Sequence, residues 1–448
     1  MKKAIYIFGL MALLACQDDE IYNINGEIDD TFFVGEYEWV KSYGGSGEDT
    51  PRSIIRTRDG GYAVFGFSNS TDGDLSGKTT PVNDYWLLRL DSEGELLWSK
   101  TYGGSRDDRG QAIIQTADGG YAITGYAMSG DGDSSNNEGF HDNWILRLDS
   151  KGNILWERSF GFSGHDHSYD IVQTADGGFF FVGFLDISSA RSDGFEEKAT
   201  PSTRHGVGEF WGTKIDANGN LQWRRYFGGT NNDRAYSVVP AWDGGFVMAG
   251  ASESNDFDIT NSRGSYDFWI IKISDEGDMI WQKSYGGSGV DIAYDISLTN
   301  DGAYVVTGQS ISSDSDIASP KGDSDIWMIK IDKQGEMLWE RSIGGSASEL
   351  AQSIESARRG GFIISGHSRS SDGDSSENFG ENDMWVVRTD DSGQVLWQQA
   401  FGGQGLDFAF DTVENPDKSV LLVGESASPQ VLGLTNKGQT DLVVIKIR

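Results

Sequence analysis

The sequence predicts an all-β fold, a seven-bladed β-propeller with four antiparallel strands per blade. Three observations predict it. Tryptophan recurs at Trp39, Trp98, Trp156, Trp223, Trp281, Trp339 and Trp397, at intervals of 59, 58, 67, 58, 58 and 58 residues, a regularity that composition alone does not produce. Each interval holds four short apolar runs separated by Asp-Gly turn signals, the pattern of tightly joined antiparallel strands. The 448 residues include 60 Gly, 14 Trp, 16 Tyr and 23 Phe but only 7 Pro, a mix of turn and strand formers that suits neither a helix bundle nor a disordered chain.

In chain order, residues 1–15 form the first element, an address rather than part of the fold. Met1-Lys2-Lys3 is a positive start, Ala4 to Ala12 an apolar stretch too short for a stable bilayer span, and Leu13-Leu14-Ala15 leads to Cys16, the only cysteine. This string resembles the lipobox of bacterial lipoproteins, which implies cleavage before Cys16 and lipid attachment to it; the alternative is an ordinary secretory signal with an incidental cysteine. Gln17-Asp18-Asp19-Glu20 is similar to the acidic tag of Bacteroidetes lipoproteins that face outward from the outer membrane. Residues 16–35 then read as an acidic tether, and residues 36–448 as the propeller.

The repeat text is clearest from Arg52 to Gly104. A first strand (Ser53-Ile54-Ile55) leads through Asp59-Gly60-Gly61 to a second (Tyr62 to Gly66). After a long polar loop come a third strand (Asp84 to Asp91), a turn at Ser92-Glu93-Gly94, and a fourth (Leu96-Leu97-Trp98) that runs into Tyr102-Gly103-Gly104. A second tryptophan column, Trp86, Trp144, Trp211, Trp269, Trp327 and Trp385, lies on the third strand, so that only Trp242 is outside the two columns. Rings at equivalent positions suit packing between blades. The chain stops after a third strand, Asp441 to Ile447, while Glu38 to Gly45 is a fourth strand with no preceding three. The N-terminal strand should therefore complete the last blade; an open solenoid would leave both ends exposed.

The motifs W-x-K-x-Y-G-G-S, T-x-D-G-G-Y and D-x-W-L-x-K-L-D-x-x-G-x-x-x-W, spread over residues 39–447, closely resemble those of β-propeller repeat proteins common in Bacteroidetes, some labelled lectin-like. The resemblance implies architecture and no particular chemistry. The stretch Asp332 to Trp339 is also similar to the tryptophan-docking motif of quinoprotein propellers, but those have eight blades and shorter repeats.

In such a blade the first-to-second and third-to-fourth turns lie at one end, and the other connections at the opposite end. All length variation falls at that second end. From the second-strand glycine to the third-strand position the gap is 19 residues in five blades, 20 in blade 1 and 28 in blade 3, so this loop face is where a ligand is expected. Two acidic sets share it. Asp49, Asp108, Asp166, Asp233, Asp291, Glu349 and Asp407 follow each glycine pair, one per blade. A turn cap would be needed in every blade, which favours capping over a cation-binding ring. The pairs Asp72/Asp74, Asp131/Asp133, Asp256/Asp258, Asp314/Asp316 and Asp372/Asp374 could present oxygens to Ca²⁺, the one cofactor the sequence suggests. None completes a D-x-[DN]-x-[DN]-G loop, so solvated turns remain the plainer alternative.

The formal charge of −33 disfavours nucleic acid as a partner, and no H-E-x-x-H, G-x-S-x-G or Walker motif occurs. Five histidines are present, His141, His165, His167, His205 and His367. Blade 3 breaks the glycine pair to Gly161-Phe162, sets His165 and His167 around Asp166, and inserts nine residues in a segment with Arg191, Lys198, Arg204 and His205. These six basic or imidazole groups are a candidate site for an anionic group or a metal; the alternative is a drifted repeat. The expected function is a lipid-anchored binding module for a glycan or an envelope protein. An enzyme, either a polysaccharide lyase or a quinoprotein-like oxidoreductase, and a purely structural subunit are the alternatives.

Overall fold

The structure, a computed structural model, describes residues 35–137, 139–162, 164–185 and 208–448. The leader, Cys16 and nearly all of the tether lie outside these residues. Seven four-stranded antiparallel sheets form a ring, and in six of them the strands run in sequence order from the channel outward. Blade 1 is built from Asp49–Arg56, Tyr62–Ser68, Asp84–Leu90 and Leu96–Tyr102. Blades 2 to 6 span residues 108–160, 166–227, 233–285, 291–343 and 349–401, and strands A to D denote the four strands of any blade. Blade 7 takes three strands from residues 407–447 and its outer strand from Tyr37–Tyr43, which pairs antiparallel with Asp441–Ile447 from Trp39 opposite Lys446 to Tyr43 opposite Leu442. The ring is closed by the N-terminal strand, as the odd ends of the sequence require.

Alternation along the strands explains the layering. Strands B and C, buried along their whole length, are mostly apolar, as in Tyr62–Ser68 and Asp84–Leu90, whereas strands A and D are half buried. The apolar clusters do not sit inside blades but between them. One unites Ile54, Val64, Trp86 and Leu88 of blade 1 with Leu421, Val423, Leu442 and Val444 of blade 7, so the closing junction is packed like the others. The third-strand tryptophans are fully buried between blades. The fourth-strand tryptophans reach the next blade's C–D turn: the indole N–H groups of Trp223 and Trp281 donate to the carbonyls of Asp275 and Lys333 at 3.0 and 3.1 Å.

Candidate functional site: the channel mouth and its loop face

The D–A and B–C connections meet on one face, and most of their carboxylates are spent on holding them. Asp49, Asp108, Asp166, Asp233, Asp291, Glu349 and Asp407 each accept the backbone N–H four residues earlier, at 2.5–3.0 Å. In blades 1, 4, 5 and 7 the same carboxylate takes serine hydroxyls from the end of strand B, as Asp233 does from Ser252 and Ser254. These acids are turn caps. The D-x-D pairs act across the same turn. Asp72, Asp131, Asp256, Asp314 and Asp372 accept from the residue after the glycine pair, at 2.7–2.9 Å. Asp74, Asp133, Asp258, Asp316 and Asp374 accept from the first glycine, at 2.8–3.3 Å. Each pair thus latches a B–C loop to the preceding D–A turn.

The channel is lined by strand A, and a β-bulge there fixes what it displays. In all seven blades the A–B register slips at one residue, between Pro51 and Ser53 in blade 1 and between Ser168 and Asp170 in blade 3, for example. The extra residue is Arg52, Gln111, Tyr169, Tyr236, Tyr294, Gln352 or Phe410, and all seven line one channel cavity of about 650 Å³ including its open mouth. Tyr236 stands between Tyr169 and Tyr294, with ring centroids 5.1 and 5.3 Å away. Arg52 lies over Phe410 at 4.3 Å. In every blade but the second, where it is Ala112, the next residue along is polar: Ser237 donates to Asp295 at 2.7 Å and to Asp170 at 3.1 Å, and Ser353 donates to Asp411 at 2.9 Å. Backbone N–H groups of Val238, Ile354 and Ile54 bind the same three carboxylates from neighbouring blades. Burial pushes Asp295 up to about 7 and Asp170 and Asp411 to about 6, against the opposing pull of these hydrogen bonds.

At the mouth, the junction between blades 2 and 3 gathers three imidazoles. His141 precedes strand C of blade 2, His165 precedes strand A of blade 3, and the two are joined by a parallel β-bridge. His167 is the second residue of that strand A. Nδ1 of His141 is 3.0 Å from Nδ1 of His165 and 3.2 Å from Nε2 of His167. Tyr126 stacks on His167 with centroids 3.9 Å apart, Phe140 borders His141 and His165, and the Tyr169 hydroxyl is 3.3 Å from Nδ1 of His167. Burial first, and then the neighbouring imidazoles, lower His141 to about 4 and His167 to about 3, so both are neutral at pH 7. Arg109 is paired with Asp107 at 2.9 Å.

Of the histidines expected in blade 3, His165 and His167 are brought together, with His141 from blade 2 as their third member. Arg191, Lys198, Arg204 and His205 lie outside the described residues. The sequence carries a signal for His141. The residue before the third-strand acid of one blade meets the residue before the first-strand acid of the next, as in Asn83 with Asp107 and Asn382 with Leu406. Phe162, which replaces the second glycine, is buried against Leu185 and Trp211, a packing role. The sequence carries no signal for the channel residues, because the bulge that turns them inward leaves no mark on the apolar pattern of strand A.

No family model and no curated protein matches the chain. Solved structures similar to it include a protein of unknown function from Bacteroides caccae (9% identity, TM-score 0.40, covering 81% of this chain and 93% of that one). Others are the Pan2 WD40 domain of Neurospora crassa (8%, 0.47, 90% and 89%) and the PQQ domain of a pyranose dehydrogenase from Coprinopsis cinerea (11%, 0.36, 92% and 97%).

Proposed function

We propose that the protein is a lipid-anchored binding module, held to the outer membrane through Cys16, whose channel mouth receives the end of a neutral glycan. The observation that carries this reading is the collar presented by the seven bulges. Tyr169, Tyr236, Tyr294 and Phe410 offer ring faces suited to the C–H faces of a sugar. Gln111, Gln352 and Arg52 offer hydrogen-bond donors, and the serine and carboxyl layer beneath offers acceptors for hydroxyls. A polyanionic chain is a poor fit for a surface carrying −33 charges. Calorimetric titration of the full-length protein in detergent with a panel of neutral oligosaccharides tests it. Tyr236→Ala should weaken binding at least tenfold with the melting temperature little changed. If no oligosaccharide binds, or the variant binds like the wild type, the collar is not a glycan site. Release of the Cys16→Ala protein from the membrane fraction tests the anchor.

A second reading, an envelope protein as partner, is favoured by the half-exposed Phe140, Phe257, Ile311 and Phe379 on the loop face. Charge changes there would weaken capture of such a partner while leaving oligosaccharide binding intact.

A further inference from the structure

We propose that His141, His165 and His167 bind one divalent transition-metal ion of the zinc class at the rim of the channel, between blades 2 and 3. The three ring nitrogens that face one another lie within 4.8 Å, and two of their separations are 3.0 and 3.2 Å. Tetrahedral ligands held at about 2.05 Å from zinc stand about 3.3 Å apart, so the two short separations are those of a coordination shell. Hydrogen bonding alone serves the arrangement poorly. Nδ1 of His141 is within reach of two imidazole nitrogens, yet a neutral ring nitrogen either donates one proton or accepts with one lone pair, so one of the two contacts is left without a proper partner. A cation converts all three into donors of lone pairs to a common centre.

The surroundings fit that role. Tyr169 stands 3.3 Å from Nδ1 of His167. With the proton on that nitrogen donated in a hydrogen bond to the hydroxyl, Nε2 is left free to coordinate, and the tyrosine fixes the ligand's tautomer. Tyr126 and Phe140 hold the rings on their flanks. The nearby Arg109 charge is offset by Asp107. His141 and His167 are half buried, whereas His165 is exposed, so a three-histidine ion here keeps a position open toward solvent for water, a carboxylate or an imidazole of an incoming molecule. The other six blade junctions carry no such set among the described residues: the equivalent pairs are Asn83 with Asp107, Gly208 with Asn232, Tyr266 with Val290, Ser324 with Ser348, Asn382 with Leu406 and Glu48 with Thr440. The site stands apart from the glycan reading and does not depend on it.

The test is calorimetric titration of the full-length protein with Zn²⁺ in 150 mM NaCl, with Mg²⁺ as control for cations gathered by the acidic surface. One equivalent of Zn²⁺ should bind with micromolar or tighter affinity, and Co²⁺ should give the visible absorption of a low-symmetry four-coordinate site. His141→Ala and His165→Ala should each weaken Zn²⁺ at least tenfold while His205→Ala leaves it unchanged. Should His141→Ala fail to fold, His165→Gln at the exposed position gives the same reading. Absence of a one-equivalent site, Mg²⁺ competing equally, His141 and His165 variants binding as the wild type does, or His205→Ala losing the ion as they do would each overturn the assignment.

Discussion

Gly94 sits directly beneath the indole of Trp39: a β-carbon on Gly94 would lie 2.6 Å from Cη2 of that ring. The same seat is repeated where Gly152 meets Trp98 and Gly277 meets Trp223, each at 2.9 Å. The contact between the N-terminal strand and blade 1 is therefore built to the same plan as contacts between blades that are consecutive in sequence, and the D-x-x-G turn is the receiving half of a blade-to-blade joint.

Closure should accordingly fail at Gly94. Its φ of +74° already disfavours a side chain, and alanine would also push Trp39 off its seat. Gly94→Ala is expected to lower the melting temperature by several degrees, and Trp39→Ala to cost ~3 kcal/mol. Deleting residues 1–45 should be worse, because it uncovers the edge of Asp441–Ile447. Scanning calorimetry checks all three; a deletion variant as heat-resistant as the full chain would contradict closure by this strand.

The loop latches predict a loss that is independent of metal. Asp256 binds the N–H and hydroxyl of Thr230 at 2.9 and 3.0 Å, and Asp258 binds the N–H of Gly228 at 3.3 Å. Replacing both by alanine leaves those N–H groups to water and should cost about 1–3 kcal/mol. If the pairs serve mainly as Ca²⁺ ligands, EGTA would bring the wild type down to the variant. We expect the gap between their melting temperatures to persist in EGTA.

The period of 58 residues and the unmatched strands at the two ends made blade number, strand number and closure legible, because propeller geometry is set by which residues can be buried at repeated positions. The capping acids were legible for the same reason: Asp49 and its six equivalents recur wherever a D–A turn needs an acceptor. The site was only half legible. His165 and His167 are neighbours in sequence, but His141 joins them through a bridge between strands of different blades, 24 residues away along the chain. The collar depends on a backbone slip at Arg52 and its equivalents, and side-chain order alone does not report a slip.

The buried carboxyls give the last prediction, a melting temperature that rises as pH falls from 8 to 6.5. Burial raises Glu355 to about 8, Asp84 and Asp295 to about 7, and Asp170, Asp233, Asp383 and Asp411 to about 6. A carboxyl whose pKa is higher in the folded state than in the unfolded chain binds more protons when folded between those two values. Its contribution is complete below the unfolded pKa and is lost as pH rises through the folded one. From pH 8 to 6.5, Glu355, Asp295 and Asp84 are the groups taking up protons, and the buried His141, His167 and His367 stay neutral in the fold throughout that range. Below 6.5 the depressed His141, His167 and His367 oppose the trend, since unfolding lets them charge. Asp295→Asn keeps an acceptor for the N–H of Ile354 without the charge. Its melting temperature relative to the wild type should be highest at pH 8 and fall toward pH 5, because only the wild type gains from proton uptake. Scanning calorimetry at constant ionic strength reads both effects. A wild-type melting temperature that is flat or falling from pH 8 to 6.5 would show that these carboxyls are ionised in the fold at no cost, and that they are solvated far better than their burial implies.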